Sequence, residues 1–363
     1  MQVDRDGISH LPQNNGTHSS NHLTHNASTK INMMRILQLL FILSMTIPAF
    51  AQNQVVPLDK DLSEVAYPYP VKFHAFTSQG QELRMAYLDV VPTNANGKTV
   101  LLLHGKNFNA AYWGQTIAEL GKHGYRVIAP DQIGFGKSSK PAQYQFSFQQ
   151  LAANTKAILD SLKIGKVIVL GHSMGGMLAA RFALSYPDQV EKLILENPIG
   201  LEDYQDLAPY QSIDANYQEE LKNTVETYRN YQLTFYYDNK WKPAYDPWLN
   251  QLAGWTLHKD YPAVAWDAAL TTDMIFTQPV VHEFGHIRCP TLLIIGTRDR
   301  TAIGKNRAPT AVQPTMGRYD QLGKKTQQAI PGSTLVELDN VGHLPHIEVF
   351  DRFMQPVLEF IGK

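Results

Sequence analysis

Two hydrophobic patterns alternate along most of the chain. Unbroken apolar runs, typical of strands buried on both faces of a parallel sheet, occupy residues 100–103, 127–129, 167–170, 193–195 and 292–295. Apolar residues spaced three or four positions apart predict helices over 148–162 and 350–361. This alternation predicts an α/β fold in which a mostly parallel, twisted sheet is flanked by helices.

A β-hairpin is predicted ahead of the first of these runs. Alternating apolar and polar residues at 71–76 and 83–91 flank the segment 78–81, SQGQ, whose residue types favour a tight turn. We therefore expect the sheet to begin with an antiparallel pair of strands.

The strand–helix alternation stops between Pro198 and Arg288, and we call these 91 residues the insert. The insert holds 16 aromatic residues, nine Tyr, four Trp and three Phe. We predict that it forms a helical cap on a core made of residues 52–197 and 289–363. Because it leaves the sheet at the carboxyl end of a strand, we expect it to cover a site there and to line an apolar pocket for small to medium uncharged or aromatic molecules.

The first 51 residues have two different compositions. Residues 1–32 are rich in Asn, His, Ser and Thr and poor in large apolar side chains, which predicts a disordered N-terminal extension. Residues 33–51 combine Arg35, an apolar stretch at 36–47 and small residues at Ala49 and Ala51, which is typical of a secretory signal peptide. The twelve residues of this stretch are fewer than the roughly 20 that span a membrane. We predict a secreted or periplasmic protein without a stable membrane span; the alternative is a buried N-terminal helix.

The composition excludes several classes of protein. The 32 Lys and Arg residues are balanced by 33 Asp and Glu residues, so no excess of positive charge favours nucleic acid as a partner. The single cysteine, Cys289, allows no intramolecular disulfide or thiolate cluster, and we expect it to be an inert buried thiol. His282, His286 and His346 lack the spacing of metal ligands. We predict no metal, no cofactor and a small-molecule substrate; the sequence does not indicate an oligomeric state.

Residues 171–176, GHSMGG, lie between an apolar run that predicts a strand and a helical stretch at 177–186. A Gly-x-Ser-x-Gly motif in this context is typical of a strained turn that presents a nucleophilic serine, here Ser173. Gly171 and Gly175 are expected where strand and helix pass closely. A phosphate-binding loop is the alternative, but neither of its usual glycine patterns is present.

A serine hydroxyl needs a base to remove its proton, and that base is usually a histidine oriented by a carboxylate. Asp299 follows the apolar run 292–295, and His343 follows the predicted strand 334–338. Because the carboxyl ends of parallel strands meet at one edge of the sheet, we predict a catalytic triad of Ser173, His343 and Asp299. Glu196 is the alternative acid.

Residues 104–108, HGKNF, follow another predicted strand and are candidates for stabilising a developing oxyanion. We predict that the backbone amides of Lys106 and Met174 form the oxyanion hole. The Lys106 and Asn107 side chains could face the substrate or be structural. We expect His104 to hold its loop by a hydrogen bond.

Together these motifs resemble the α/β-hydrolase superfamily over residues 71–361, in the capped group that includes esterases, lactonases and carbon–carbon bond hydrolases. The resemblance implies a structural role for Asp131, in the segment 131–138, DQIGFGKS. It also implies that Ser173, where some relatives carry Asp, attacks a carbonyl to form an acyl-enzyme. A serine hydrolase acting on a carboxylic ester is favoured. A lactonase or carbon–carbon bond hydrolase, and a slow-turnover ligand receptor, are the alternatives.

Overall fold

A computed structural model describes residues 55–363 of the chain. The predicted extension at 1–32 and the predicted signal peptide at 33–51 lie outside the described residues. Within the described residues, none of the helices has both the length and the apolar character needed to span a bilayer.

Eight strands form a single sheet in the described part of the chain. The sheet has the order β1-β2-β4-β3-β5-β6-β7-β8, and every neighbouring pair from β4 to β8 is parallel. The pairs β1·β2 and β2·β4 are antiparallel. The strands are β1 (Val71–Ser78), β2 (Gln81–Val90), β3 (Thr99–Leu103), β4 (Arg126–Pro130), β5 (Val167–His172), β6 (Val190–Glu196), β7 (Thr291–Gly296) and β8 (Thr334–Leu338).

The predicted hairpin is confirmed as β1 and β2. Ser78 pairs with Gln81, so the loop contains only Gln79 and Gly80. Both loop residues have positive φ, 52° and 73°. This is the backbone twist that two-residue hairpin loops require, and glycine adopts it without a steric penalty.

Ten α-helices lie along the described residues: α1 (Gly114–Lys122), α2 (Phe148–Ser161), α3 (Met174–Ser185), α4 (Ile213–Glu220), α5 (Val225–Phe235), α6 (Asp246–Thr256), α7 (Tyr261–Thr277), α8 (Tyr319–Ala329), α9 (Pro345–Glu348) and α10 (Phe350–Ile361). Helices α4 to α7 belong to the insert, between β6 and β7. Short 3-10 turns occur at Ala110–Trp113, Pro187–Gln189, Tyr204–Asp206, Pro243–Tyr245, Val281–His286, Lys305–Arg307 and Gln313–Thr315.

The sheet is covered on both faces by helices. Successive residues of β3 point to opposite sides, since Leu101 packs in one cluster of buried side chains and Leu102 in another. Helices α2, α3 and α8 contribute to the first cluster, and α1 and α10 contribute to the second. Strands that are apolar on both faces therefore follow from two-sided burial, and the predicted fold class is confirmed.

The insert has a hydrophobic cluster of its own. Leu249, Leu252 and Trp255 from α6 pack there, together with Leu58 and Leu62 from the start of the described chain. The Leu58 amide donates to the Gly254 carbonyl over 3.0 Å, and the Trp255 indole donates to the Asp59 carbonyl over 3.0 Å. Residues 58–62, which the sequence analysis assigns to the core, thus complete the packing of the insert.

Cys289 lies just before β7 and is half-buried, not fully buried as we expected. The reason is its position in the connection from the insert to the strand, where the chain returns from the surface. Partial burial raises the pKa of its thiol, which lowers the fraction of reactive thiolate.

Candidate active site

Ser173 occupies the turn between β5 and α3 in a strained backbone conformation, with φ 57° and ψ −121°. Glycines make this turn possible. A Cβ atom on Gly171 would lie 2.1 Å from the Gly175 carbonyl oxygen, and one on Gly175 would lie 2.1 Å from the Leu103 carbonyl oxygen. The Ser173 amide donates to the Glu196 carbonyl over 3.2 Å, which ties the turn to the end of β6.

The structure brings Ser173, His343 and Asp299 together in one hydrogen-bond chain. His343 Nε2 lies 2.9 Å from Ser173 Oγ, and His343 Nδ1 lies 2.6 Å from Asp299 Oδ2. Asp299 follows β7 and His343 follows β8, so both reach the edge where β5 delivers the serine. The three residues are only 0 to 6% exposed, which keeps bulk water from competing for these hydrogen bonds.

Asp299 has two further donors. Asn197 Nδ2 donates to Asp299 Oδ2 over 2.8 Å, and the Thr301 amide donates to Oδ1 over 2.8 Å. Burial alone would raise the pKa of Asp299, but His343 and these hydrogen bonds hold it below its ordinary value. The carboxylate therefore stays ionised and accepts a hydrogen bond from His343 Nδ1.

Asn197 is a site residue that no motif in the sequence marks. It follows β6 directly, and its amide oxygen accepts from the Gly296 amide over 2.8 Å while its amide nitrogen holds Asp299. The available signal was an amide side chain at the carboxyl end of the strand that neighbours β7.

Glu196, the alternative acid, contacts a different histidine. Its Oε1 atom accepts from the His346 amide over 2.9 Å and from His346 Nδ1 over 2.8 Å. Burial raises the pKa of Glu196 to about 7. Burial and the neighbouring His343 lower the pKa of His346 to about 3. His346 is thus neutral, and the structure places Asp299, not Glu196, on His343.

His172 links two parts of the site behind the serine. Burial holds the pKa of His172 well below its ordinary value, so the ring is neutral. A carbonyl can only accept, so His172 Nε2 donates to the His343 carbonyl over 2.7 Å. His172 Nδ1 then accepts from the Tyr112 hydroxyl over 3.1 Å, and Tyr112 accepts from the Gly105 amide over 2.9 Å. A directed chain runs from the loop after β3 to the backbone of His343.

The loop after β3 lies against the serine. A Cβ atom on Gly105 would be 3.0 Å from Ser173 Cβ, so the backbone approaches closely. His104 Nδ1 lies 2.9 Å from the Gly105 carbonyl, and its Nε2 accepts from the Gln132 amide over 2.9 Å, which holds the loop in place. The amides of Lys106 and Met174 have no intramolecular acceptor within residues 55–363.

The side chains beside this loop are engaged with the protein. Lys106 Nζ lies 3.0 Å from Glu220 of α4, so the side chain joins the loop to the insert. Asp131 accepts from the Tyr67 hydroxyl, the Ala110 amide and the Lys137 amide at 2.7 to 2.8 Å, which is a structural arrangement.

A cavity of about 680 Å³ opens onto Ser173 and His343. Helices α4 and α5 of the insert form one side of it, and residues 300–307 form another. The Tyr236 ring stacks on His343 at a centroid distance of 5.0 Å. We expected an apolar pocket, but the lining has both an aromatic part, with Phe108, Tyr231 and Tyr236, and a charged part. The described residues contain no group of three or more metal-ligating side chains.

Comparison with known proteins decides the family. The model of the alpha/beta hydrolase fold family matches residues 98–349. The chain belongs to this family. The fold is similar to that of a solved structure, a probable hydrolytic enzyme from Pseudomonas aeruginosa PAO1, with 53% identity and a TM-score of 0.83. That match covers 84% of this chain and 98% of the solved chain.

Two curated relatives of this α/β-hydrolase are also named as hydrolases. A 2-hydroxy-6-oxononadienedioate/2-hydroxy-6-oxononatrienedioate hydrolase from Paraburkholderia phymatum is 28% identical, over 78% of this chain and 93% of that protein. A 2-hydroxy-6-oxo-2,4-heptadienoate hydrolase from Pseudomonas putida is 34% identical over 125 residues, which cover 32% of this chain and 45% of that protein. The chain is therefore a hydrolase of the α/β-hydrolase fold.

Proposed function

We propose that this α/β-hydrolase is a serine hydrolase that cleaves carboxylic esters of small to medium molecules. The hydrogen-bond chain from Ser173 through His343 to Asp299, inside a cavity large enough for such a molecule, carries the proposal. Each member matches a role: a nucleophile, a base within reach of its proton, and an ionised carboxylate that orients the base.

In the first half of the reaction, Ser173 Oγ attacks the ester carbonyl carbon while His343 Nε2 accepts the hydroxyl proton. The carbonyl oxygen becomes an oxyanion that accepts from the Lys106 and Met174 amides, which have no intramolecular acceptor in the described chain. The tetrahedral intermediate then collapses, and His343 returns the proton to the leaving alkoxide. An alcohol departs and an acyl-enzyme remains.

In the second half, water replaces the alcohol. His343 removes a proton from the water, whose oxygen attacks the acyl carbon, and the same two amides hold the second oxyanion. Collapse breaks the bond between the acyl carbon and Ser173 Oγ, which takes the proton back from His343, and the carboxylic acid departs. Asp299 stays ionised throughout and stabilises the imidazolium formed in each half.

The insert acts as a cap in this proposal. Residues of α4 and α5 line the cavity above Ser173 and His343, and Tyr236 covers one face of the His343 ring. Such a cover limits the access of bulk water and the size of the substrate. We accordingly assign residues 198–288 to the cap and 52–197 with 289–363 to the hydrolase core.

A second candidate is cleavage of a carbon–carbon bond in a vinylogous diketone. The curated relatives whose names describe oxo-dienoate hydrolases favour it, and the same residues would serve. The loop after β3, HGKN at 104–107, differs from the proline-containing glycine-rich loop of many such enzymes, which favours the ester.

The test is a substrate panel with the wild type and Ser173→Ala. It contains 4-nitrophenyl esters of increasing acyl length, γ-lactones and vinylogous diketones. We expect turnover of the esters to exceed that of the other classes and to be abolished by the substitution. Preferential cleavage of diketones would support the second candidate, and binding without turnover of any class would support a ligand receptor.

We also propose that the protein is exported. The support is the arrangement in residues 33–51 of a basic residue, a twelve-residue apolar stretch and small residues at Ala49 and Ala51. Because the chain has a single cysteine, it forms no intramolecular disulfide, and the exported enzyme would depend on packing alone for its stability.

A further inference from the structure

The cavity above Ser173 has an unusual distribution of charge. Four cationic side chains line it, Lys106, Arg300, Lys305 and Arg307, against two acidic ones, Glu219 and Glu220. Three of the four cations come from residues 300–307, directly after Asp299. A neutral ester would place an uncharged molecule beside this positively charged wall.

Three of these cations have partners within the protein. Lys106 pairs with Glu220 at 3.0 Å, and Arg300 pairs with Asp320 at 3.4 Å and donates to the Thr297 carbonyl at 2.9 Å. Lys305 Nζ donates to the Met316 carbonyl over 2.9 Å. Hydrogen bonds and ion pairs of this kind account for their positions without any ligand.

Arg307 differs from these three residues. In the described part of the chain its side chain forms no salt bridge and no hydrogen bond, and its Nε atom is buried without a partner. Arg307 is part of the cavity lining, and its guanidinium carbon lies 5.8 Å from the centre of the Phe276 ring. Glu219 of α4 is the carboxylate whose charge acts on Arg307, but the two are not in salt-bridge contact, and Glu219 is exposed.

A buried donor without a partner is costly, and a guanidinium is best matched by a carboxylate that accepts two parallel hydrogen bonds. Lys106 and Arg300 are already paired with carboxylates and Lys305 Nζ already donates to a carbonyl, so Arg307 is the cation of this wall without an acceptor in the described residues. We propose that Arg307 binds a carboxylate of the substrate, so that the preferred esters carry one free carboxylate besides the bond that is cleaved. This inference rests on the proposed ester hydrolysis and names its substrate class.

The carboxylate could belong to the acyl part or to the alcohol part of the ester. Two matched pairs of substrates separate these cases. The first pair is the mono-4-nitrophenyl ester of adipic acid and the 4-nitrophenyl ester of adipic acid monoamide. The second pair is 4-carboxyphenyl butyrate and 4-carbamoylphenyl butyrate. Within each pair the charge changes while the size stays nearly constant.

We expect the wild type to prefer the carboxylate member of one pair by about 10- to 100-fold in kcat/KM, the range of a charge-assisted hydrogen bond. Arg307→Gln should remove most of this preference, and Arg307→Lys should keep part of it because the charge remains without the planar fork. Glu219→Gln is the control, and it should keep or increase the preference since it removes a competing acidic group.

Several outcomes would overturn the inference while ester hydrolysis stands: equal rates within both pairs, a preference that survives Arg307→Gln, or a loss in Glu219→Gln as large as in Arg307→Gln. The last result would mean that the preference depends on the charge of Glu219 as much as on that of Arg307. Absence of turnover with all four esters would contradict the proposed function instead. Calorimetric binding of the same esters to Ser173→Ala still tests Arg307 in that case, because tighter binding of a carboxylate member supports the inference and equal binding refutes it.

Discussion

His172 Nε2 donates a hydrogen bond to the backbone carbonyl of His343 over 2.7 Å, so the residue before the nucleophile holds the loop that carries the base. The other ring nitrogen of His172 accepts from Tyr112, which in turn accepts from the Gly105 amide. Groups 60 and 171 residues apart in sequence are thereby fixed relative to one another. The arrangement positions the serine, the base and the loop after β3 before the substrate arrives.

This chain of hydrogen bonds predicts different effects for two substitutions of His172. His172→Gln supplies one donor and one acceptor on a single amide and should keep kcat within a few-fold of the wild type. His172→Leu supplies neither and should lower kcat by about 10- to 100-fold with little change in KM, because small displacements of reacting groups are costly. Steady-state kinetics on the best ester of the panel measure both parameters.

Tyr112→Phe is the matched comparison, since it breaks the same chain of hydrogen bonds at its other end. The decrease in kcat caused by Tyr112→Phe should equal that caused by His172→Leu. The variant that carries both substitutions should have no lower kcat than either single variant, as expected for residues that act through one network. Additive losses would show that the two residues contribute independently of the chain.

The neutral state of His172 predicts a dependence of stability on acid. Its pKa is about 6.5 in an unfolded chain and well below that in the fold. As the pH falls below about 6.5, the unfolded chain binds a proton that the folded chain does not, and the free energy of unfolding decreases. His172→Gln removes this group, so the free energy of unfolding of the variant should decrease less steeply with falling pH than that of the wild type. The two slopes should differ by up to about 1.4 kcal/mol per pH unit.

Urea denaturation at several pH values between 7.5 and 5 measures this difference. Glu196, whose pKa is raised to about 7, acts in the opposite direction between its unfolded value and pH 7, and it is present in both proteins. Parallel stability curves for wild type and variant would mean that His172 binds its proton at the same pH in the folded and the unfolded chain, which contradicts a lowered pKa.

The sheet could be predicted from the sequence because each of its strands has a simple local signature. The predicted strand 334–338 coincides with β8, and the run 167–170 lies within β5, which continues to His172. The helix predicted over 350–361 coincides with α10. Burial on both faces of the sheet produces short apolar runs, and burial of one helix face produces a periodic apolar pattern. Both patterns lie within a few adjacent residues and can be recognised in the sequence.

The network around the site could not be read from the sequence in the same way. Ser173 is recognisable because its turn needs glycines at fixed spacing, whereas Asn197 and Tyr112 act through contacts made only after the strands are aligned. Arg307 lies on a short 3-10 turn that no periodic pattern predicts, and it faces the cavity only because the loop after β7 folds back toward α7. Long-range packing determines such contacts, and local propensity does not.

The proposed triad predicts that three single substitutions remove most activity. Ser173→Ala, His343→Ala and Asp299→Asn should each lower kcat by about three orders of magnitude or more without unfolding the protein, because the members act as one unit. Activity assays with thermal denaturation as the control for folding test this. Near-normal activity in Asp299→Asn combined with a severe loss in Glu196→Gln would assign the acid to Glu196.

The closeness of strand and helix at the nucleophile predicts a strong effect of one added methyl group. Gly171→Ala would place Cβ 2.1 Å from the Gly175 carbonyl oxygen, and backbone cannot move there without disturbing Ser173. We expect a loss of about 3 kcal/mol or more in the free energy of unfolding. Gly165→Ala, where no atom lies within 4 Å of the added Cβ, is the control and should be nearly neutral.

The composition of residues 33–51 predicts that the mature protein begins at Gln52. The small residues Ala49 and Ala51 precede that position, and Leu58, six residues further on, already packs against Gly254 in the insert. Cleavage before Gln52 therefore retains the leucines that complete the insert's hydrophobic cluster. N-terminal sequencing of the protein from the cell envelope of an expressing host should start at Gln52, and replacing Ala49 and Ala51 with bulky residues should block the cleavage. A product that still starts at Met1 or Met34, or one cut after Leu62, would contradict the prediction. Cleavage after Leu62 should also lower the free energy of unfolding, because Leu58 and Leu62 are then lost from the cluster.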